Sequence, residues 1–346
     1  MAAASRIANS LPLLKDEPFF VDQRRRLGER LASVDPRLDL EREIVRLKTE
    51  RNAVILAHYY QESEIQELAD FLGDSLQLAQ AAKGTTADVI VFCGVHFMAE
   101  TAKIVNPDKI VVVPDMDAGC SLADGCRAED LRTWKAAHPD HVVLSYINCS
   151  AEVKALSDVI VTSSNAEKIV RGFEPDRPAL FAPDRNLGAY LVKKTGRPME
   201  LWQGACVVHE MFDDKRLVQL KERHEVDGPV EILAHPECDA VVLRHADFIG
   251  STTALLNRSK VSQAKTLIVA TEEGILHQMK KARPDLRFVE APGVEEGCKC
   301  SVCPHMKRNT LEKLYLALRD LEPRLEMSPE LIEGARKPLE RMLAMS

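Results

Sequence analysis

Three pairs of polar residues occupy the same place in three similar strings of this sequence: His58 and Tyr60, Tyr146 and Asn148, and His235 and Glu237. They follow or close Ile55-Leu56-Ala57, Val143-Leu144-Ser145 and Ile232-Leu233-Ala234, short runs of the kind that form buried parallel strands. A spacing of two puts both members of a pair on one face of an extended chain. Imidazole, phenol and carboxylate are groups that move protons, so the pairs suit general acid–base chemistry, with His and Glu as the main agents and Tyr as a weaker acid. Three cysteines stand at a similar interval. Cys120, Cys206 and Cys303 lie 86 and 97 residues apart, in Gly119-Cys120-Ser121, Gly204-Ala205-Cys206 and Cys303-Pro304-His305. Three thiolates brought to one point satisfy three irons of a 4Fe-4S cluster and leave the fourth iron open, and an open position marks a catalytic metal site. A lone cysteine is better read as a small buried hydrophobe. A trio near repeat spacing, in glycine- or proline-flanked loops, reads as a ligand set.

The elements that must position these groups follow from the hydrophobic pattern. The first 50 residues read as helix, and from Asn52 short apolar runs alternate with helical segments, the mark of a parallel α/β architecture. Second strands align as Val89–Cys93 with Val159–Ser163 and, more loosely, Asp247–Ser251. Third strands align as Val112–Asp115, Phe181–Asp184 and Val269–Glu272. The expectation is an α/β fold of three pseudo-threefold-related, three-layer αβα domains, each of about three βα units, with short parallel sheets around a central active site. The expected division is a helical segment over 1–50, repeats over 51–119, 120–205 and 206–302, and C-terminal helices over 303–346 that pack back on the domains. Ligands collect at the carboxyl ends of parallel strands. Ser163-Ser164, Ser251-Thr252 and Asp184 fall there too. Each hydroxyl pair is expected to open a helix, as a plain N-cap worth ~1 kcal/mol, as a holder of phosphate or carboxylate, or as both.

Composition narrows the function classes. The 346 residues are 45% hydrophobic and 29% charged, a globular composition for two or three domains. Aromatics at 5% and a net charge of −7 argue against a nucleic-acid binder. No stretch approaches the roughly 20 apolar residues of a membrane span, and the N-terminus lacks a signal-peptide pattern, so the cytoplasm is the expected location. Nine cysteines, an odd number, do not suit a disulfide framework.

Seven motifs in order carry a specific resemblance: His58-Tyr59-Tyr60-Gln61, Gly73-Asp74-Ser75-Leu76, Tyr146-Ile147-Asn148, Thr162-Ser163-Ser164-Asn165, Cys206-Val207-Val208-His209-Glu210, His235-Pro236-Glu237-Cys238 and Gly250-Ser251-Thr252. Over about residues 52–310 the chain resembles the quinolinate synthases. The resemblance implies condensation of iminoaspartate with dihydroxyacetone phosphate to quinolinate, with release of phosphate and water, in NAD biosynthesis. It implies a 4Fe-4S cluster on Cys120, Cys206 and Cys303, its open iron acting as Lewis acid. It places His58, Tyr60, Ser75, Tyr146, Asn148, Ser163, His209, His235, Glu237, Ser251 and Thr252 around the substrates, with His58, Tyr60, Tyr146, His235 and Glu237 catalytic. An aspartate-oxidising enzyme is the implied supplier of iminoaspartate. Spacing alone does not choose among Cys298, Cys300 and Cys303; the family context Cys303-Pro304-His305-Met306-Lys307 selects Cys303. Pro304 is expected in the first turn of a helix whose positive end lowers the Cys303 pKa. Rival readings are a structural zinc site over Cys298–His305, a non-catalytic binder of small acids, and a redox carrier. None of the three accounts for both the strand-end pairs and an open three-thiolate set.

Overall fold

The most apolar runs of the sequence become the central strands. In the computed structural model, which describes residues 18–174, 176–294 and 301–346, twelve strands form three sheets. The first holds β1 (Ala53–His58), β2 (Phe71–Gly73), β3 (Val89–Cys93) and β4 (Ile110–Val112). The second holds β5 (Val142–Tyr146), β6 (Val159–Val161), β7 (Ala179–Ala182) and β8 (Glu200–Leu201). The third holds β9 (Val230–Ala234), β10 (Phe248–Ile249), β11 (Thr266–Ala270) and β12 (Arg287–Glu290). Every pairing is parallel, and the spatial orders 2-1-3-4, 6-5-7-8 and 10-9-11-12 are one order written three times. Central strands such as β3, β5 and β11 are buried along their whole length, which is why they lack the alternation of a half-exposed strand.

The threefold repeat extends to a device absent from the sequence reading. Asp70, Asp158 and Asp247 each precede the short edge strand of their sheet. Their carboxylates accept from the backbone N–H of Ile55, Val143 and Ile232, each at 2.8 Å. Their own N–H groups donate to the carbonyls of the same three residues, each at 2.9 Å. An aspartate in this double contact fixes where the edge strand enters, and so fixes what its far end presents.

Two strand correspondences need correction. Val89–Cys93 is β3, a central strand equivalent to β7 and β11, and is not the counterpart of β6 and β10. That counterpart is β2. Val112–Asp115 accordingly begins in β4, the counterpart of β8 and β12, so each repeat has four strands where three were expected. The reason is local: β2 has three residues and its Phe71 is 49% exposed, so this edge strand writes no apolar run.

Helices close the sheets. In Leu40–Glu50, Ile44 and Leu47 pack with Leu314, Ala317 and Leu318 of Leu311–Asp320 over the first sheet. Pro329–Met345 buries Ala335, Leu339 and Met342 in the cluster shared by the first and second sheets. Both C-terminal segments are helical as expected, after a single 3-10 turn at Met306–Arg308. Among the described residues no helix is long and apolar enough to cross a membrane.

Candidate active site

The carboxyl ends of the central strands open on one cavity, about 700 Å³ with the solvent space at its mouth included. β1 ends at His58, β5 ends at Tyr146, and His235 directly follows β9. The three polar pairs of the sequence reading therefore stand at one level, and all six side chains line the cavity. The edge strands add a second level. His58 is in register with Gly73, Tyr146 with Val161, and Ala234 with Ile249. Extending that register places Ser75, Ser163 and Thr252 at equivalent positions, and all three line the cavity.

The residues just before them hold the helix starts. Asp74 accepts from the N–H groups of Leu76 and Gln77 at 3.1 Å, in a full capping box for Ser75–Gly84. Ser251 accepts from Ala254 N–H at 3.3 Å and caps Thr252–Val261. Ser251 is thus the one expected substrate residue outside the cavity lining, and Thr252 is not a cap. The Ser163-Ser164 pair does not open a helix. The next helix begins at Ala166, Asn165 Oδ1 accepts from Thr162 N–H at 2.7 Å, and the Ser164 hydroxyl donates to Asp74 Oδ2 at 2.8 Å. These polar side chains need each other before they can face a ligand.

Glu237 is the electrostatic centre. The Tyr146 hydroxyl donates to its Oε1, His209 Nδ1 lies 3.0 Å from Oε2, and His235 Nδ1 lies 3.8 Å from Oε1. Burial pushes the carboxyl up, but His209, His235 and the Tyr146 hydrogen bond outweigh it and hold Glu237 below its ordinary value. Burial lowers His58 to about 4 and His235 to about 3, so both rings are neutral at neutral pH. It also raises Tyr60 and Tyr146 well above 10, which keeps them as phenols able to donate. A chain of polar contacts runs from Tyr60 Oη to Thr271 Oγ1 at 2.6 Å, on to His209 Nε2 at 3.0 Å, and across the ring to Glu237. Tyr60 Oη also meets Thr252 Oγ1 at 2.9 Å, and His235 Nε2 meets the Ser163 hydroxyl at 3.2 Å. Asn148 lines the cavity, and its Oδ1 is buried without a hydrogen-bond partner.

Cys120, Cys206 and Cys303 follow β4, β8 and β12, the last strand of each sheet, and all three line the same cavity. The Ser121 hydroxyl donates to Ala205 O and accepts from Val207 N–H, both at 3.2 Å, which stitches the first cysteine loop to the second. Cys303 N–H donates to Glu272 Oε1 at 3.2 Å and ties the third loop to the end of β11. Burial raises all three thiols, Cys303 to about 11. The expected lowering of Cys303 by a helix start is therefore corrected: N–H groups of Met306 and His305 do favour its thiolate, but burial wins and only a single 3-10 turn follows. Charge on Cys303 opposes ionisation of Cys120, and charge on either opposes that of Cys206. A trio of soft donors lining one cavity fits a 4Fe-4S cluster held by three thiolates. Cys298 and Cys300 lie outside the described residues. Cys93, Cys126, Cys149 and Cys238 are fully buried, the plain hydrophobic thiols expected of them.

Thr271 and Glu272 were given no role from the sequence. Glu272 lines the cavity and accepts from Gly274 N–H at 2.7 Å; burial lifts its carboxyl to about 7 against the pull of Lys307, 3.3 Å away. The signal was present in the third-strand alignment, where Glu272 occupies the place of Asp184.

Fold and site together define a class: an α/β enzyme of three like sheets, with acid–base groups and thiols gathered where the strand ends meet. Residues 42–344 match the family profile described as quinolinate synthetase A protein (NadA). The chain belongs to the quinolinate synthase family. It is 59% identical over 308 residues to a quinolinate synthase of Microcystis aeruginosa, covering 89% of this chain and 95% of that one. Relatives of the same name from Thermosynechococcus vestitus and Chloroherpeton thalassium are 58% and 59% identical over 309 residues, covering 96% and 95% of those chains.

Proposed function

We propose that this chain condenses iminoaspartate with dihydroxyacetone phosphate and releases quinolinate, phosphate and water, a C–C and C–N bond-forming transferase reaction of NAD biosynthesis. The observation that carries the reading is the convergence on one cavity of every expected substrate residue except Ser251, together with all three expected thiols. Ser75 and Thr252 each begin a ten-residue helix against the cavity, so their hydroxyls and first N–H groups suit the carboxylates and phosphate of the substrates. Ser163 and Asn148 extend that polar wall from the second sheet. Glu237, held ionised, is the acceptor for a proton taken from carbon. Tyr146, bonded to it, and Tyr60 are donors toward a departing oxygen, and neutral His58 and His235 offer lone pairs beside them. The Thr271–His209 path lets Tyr60 recover its proton from the Glu237 side.

Cys120, Cys206 and Cys303 would hold the 4Fe-4S cluster. When bound, it supplies a Lewis acid that withdraws charge from a hydroxyl oxygen. Iminoaspartate is an imine that hydrolyses in water. That sensitivity favours a cytoplasmic aspartate-oxidising enzyme as the direct supplier. The deciding experiment is anaerobic reconstitution with iron and sulfide, followed by an assay for quinolinate from the two substrates. Quinolinate formation is expected, with about four irons per chain. Fully iron-loaded protein that forms none overturns the reading.

A further inference from the structure

Cys206 stands where two donor sets meet. One is the trio of thiols described above. The other consists of Cys206, His209 and Glu237, whose sulfur, ring nitrogen and carboxylate oxygen lie within 4.8 Å of one another. His209 and Glu237 have each been prepared for this arrangement by a neighbour. Thr271 engages His209 Nε2 at 3.0 Å, which leaves Nδ1 to face inward. The Tyr146 hydroxyl occupies Glu237 Oε1, which leaves Oε2. His209 and Glu237 are each only 2% exposed. Nδ1 and Oε2 approach to 3.0 Å, yet Nδ1 is a buried atom without an aligned hydrogen bond. In the metal-free protein a proton on Nδ1 bridges the two; a metal ion that takes its place, with that proton moved to Nε2 where Thr271 accepts it, meets two buried donors side by side.

The donor types specify which cation. A thiolate, an imidazole and a carboxylate are the ligands of four-coordinate zinc sites, and three protein ligands leave one position open. A hydrogen bond to the far side of each ligand is the usual outer shell of such a site. We propose that this chain, when its iron–sulfur cluster is absent, binds one divalent ion of the zinc and cobalt class through Cys206 Sγ, His209 Nδ1 and Glu237 Oε2. Binding exchanges the thiol proton of Cys206, released to solvent, for a sulfur–metal bond formed with the sulfur lone pair; no electron is transferred. Cys206 cannot serve this ion and the cluster together, so the two occupancies exclude each other. A single metal ion at this place also takes Glu237 and His209 out of the proton path.

The test is a titration of cobalt(II) into the full chain, cluster-free and without oxygen, followed by absorption spectroscopy. One cobalt per chain is expected, with the visible bands of four-coordinate cobalt and a thiolate charge-transfer band. Cys206→Ser should abolish the charge-transfer band, and His209→Ala should weaken binding at least about tenfold. His209→Gln, which keeps most of the side-chain volume, replaces it if the alanine variant fails to fold. Thr271→Val should cost about tenfold through the lost outer hydrogen bond. The double variant Cys120→Ser/Cys303→Ser should bind cobalt as the parent does. Absence of stoichiometric binding overturns the proposal. So does loss of binding in the double variant with retention in the His209 variants, because the ion then sits on the thiol trio. As a second readout, preloading with zinc should lower subsequent iron uptake. Protein that takes up no iron even without zinc speaks against the cluster reading, and leaves the cobalt result to stand or fall by itself.

Discussion

The strand-end layer and the cysteine loops face the same cavity but are built by different rules. His58, Tyr146 and His235 are spaced by 88 and 89 residues, and so are Asp70, Asp158 and Asp247, and Ser75, Ser163 and Thr252. The cysteines are spaced by 86 and 97. A strand end is held by a ladder, and a slip of one residue turns every side chain to the opposite face. A loop after the last strand has no such constraint and needs only to deliver its sulfur. Position is therefore guaranteed by register in one region, and in the other by individual clips such as Ser121 and Glu272.

Substitutions separate the two regions, and the largest effects belong to the loops. Cys120→Ser, Cys206→Ser and Cys303→Ser should each lose the cluster and all quinolinate formation. The unfolding free energy of the cluster-free chain should change by no more than ~1 kcal/mol. Iron content, activity and urea unfolding on the same preparations test this, and retention of iron in Cys303→Ser would move the ligand upstream. Next comes Glu237→Gln, which keeps the shape and cannot take a proton. Turnover should fall by at least about 100-fold with iron content unchanged; near-normal turnover would reduce Glu237 to a structural strand-end residue.

Acid should act most strongly on the buried strand-end layer. His58 and His235 have an ordinary value of 6.5 and are depressed by burial in the fold to about 4 and about 3. Between those limits the unfolded chain binds protons that the folded chain refuses. The two histidines thus cost nothing above about pH 7 and destabilise increasingly as pH falls, and Glu237, also depressed, adds to the decline below its ordinary 4.5. Glu272, raised to about 7, opposes the decline by taking up a proton in the fold between pH 7 and 4.5. By pH 5 the histidines should remove on the order of 3 kcal/mol and Glu272 return about 2 of it, and the net decline is read by urea unfolding of the cluster-free chain. His58→Gln should flatten that slope, and an unchanged slope would place the responsible groups elsewhere.

The repeat itself is sharpened by the aspartate clips. Asp70→Ala, Asp158→Ala and Asp247→Ala should each destabilise by about 1–3 kcal/mol, since each leaves the same buried N–H unpaired. Three like values in urea would confirm equivalence, and one dominant value would break it. The smallest effect separates neighbours. Ser251→Ala should cost ~1 kcal/mol in unfolding with KM unchanged, whereas Thr252→Ala should raise KM. Equal effects on KM would return Ser251 to the substrate wall.

Much of the site was legible because chemistry-bearing residues followed legible strands. The runs before His58, Tyr146 and His235 are apolar enough to declare themselves, and the positions two residues on came with them. β2 was not legible, because an exposed three-residue edge strand has no run to show. That omission concealed the equivalence of Ser75 with Ser163 and Thr252, and it made three strands per repeat out of four. Thr271 was missed for a different reason: a threonine at a strand end carries no sign of its role until Tyr60 and His209, from distant stretches of chain, are placed on either side of it.

What the sequence determined by itself is the material of the protein: parallel strands from unbroken apolar runs, a threefold repeat from their interval, and acid–base groups at the strand ends. Hydrophobic patterning is local and additive, so it can be read along the chain. The tertiary structure decided which groups became partners. It set a carboxylate among two imidazoles and a phenol, spent Ser251 on a helix cap while its neighbour turned to the cavity, and raised the cysteine thiols above their ordinary range. These outcomes depend on burial and on contacts between residues tens to hundreds of positions apart, and both come into being only when the three sheets close on one another.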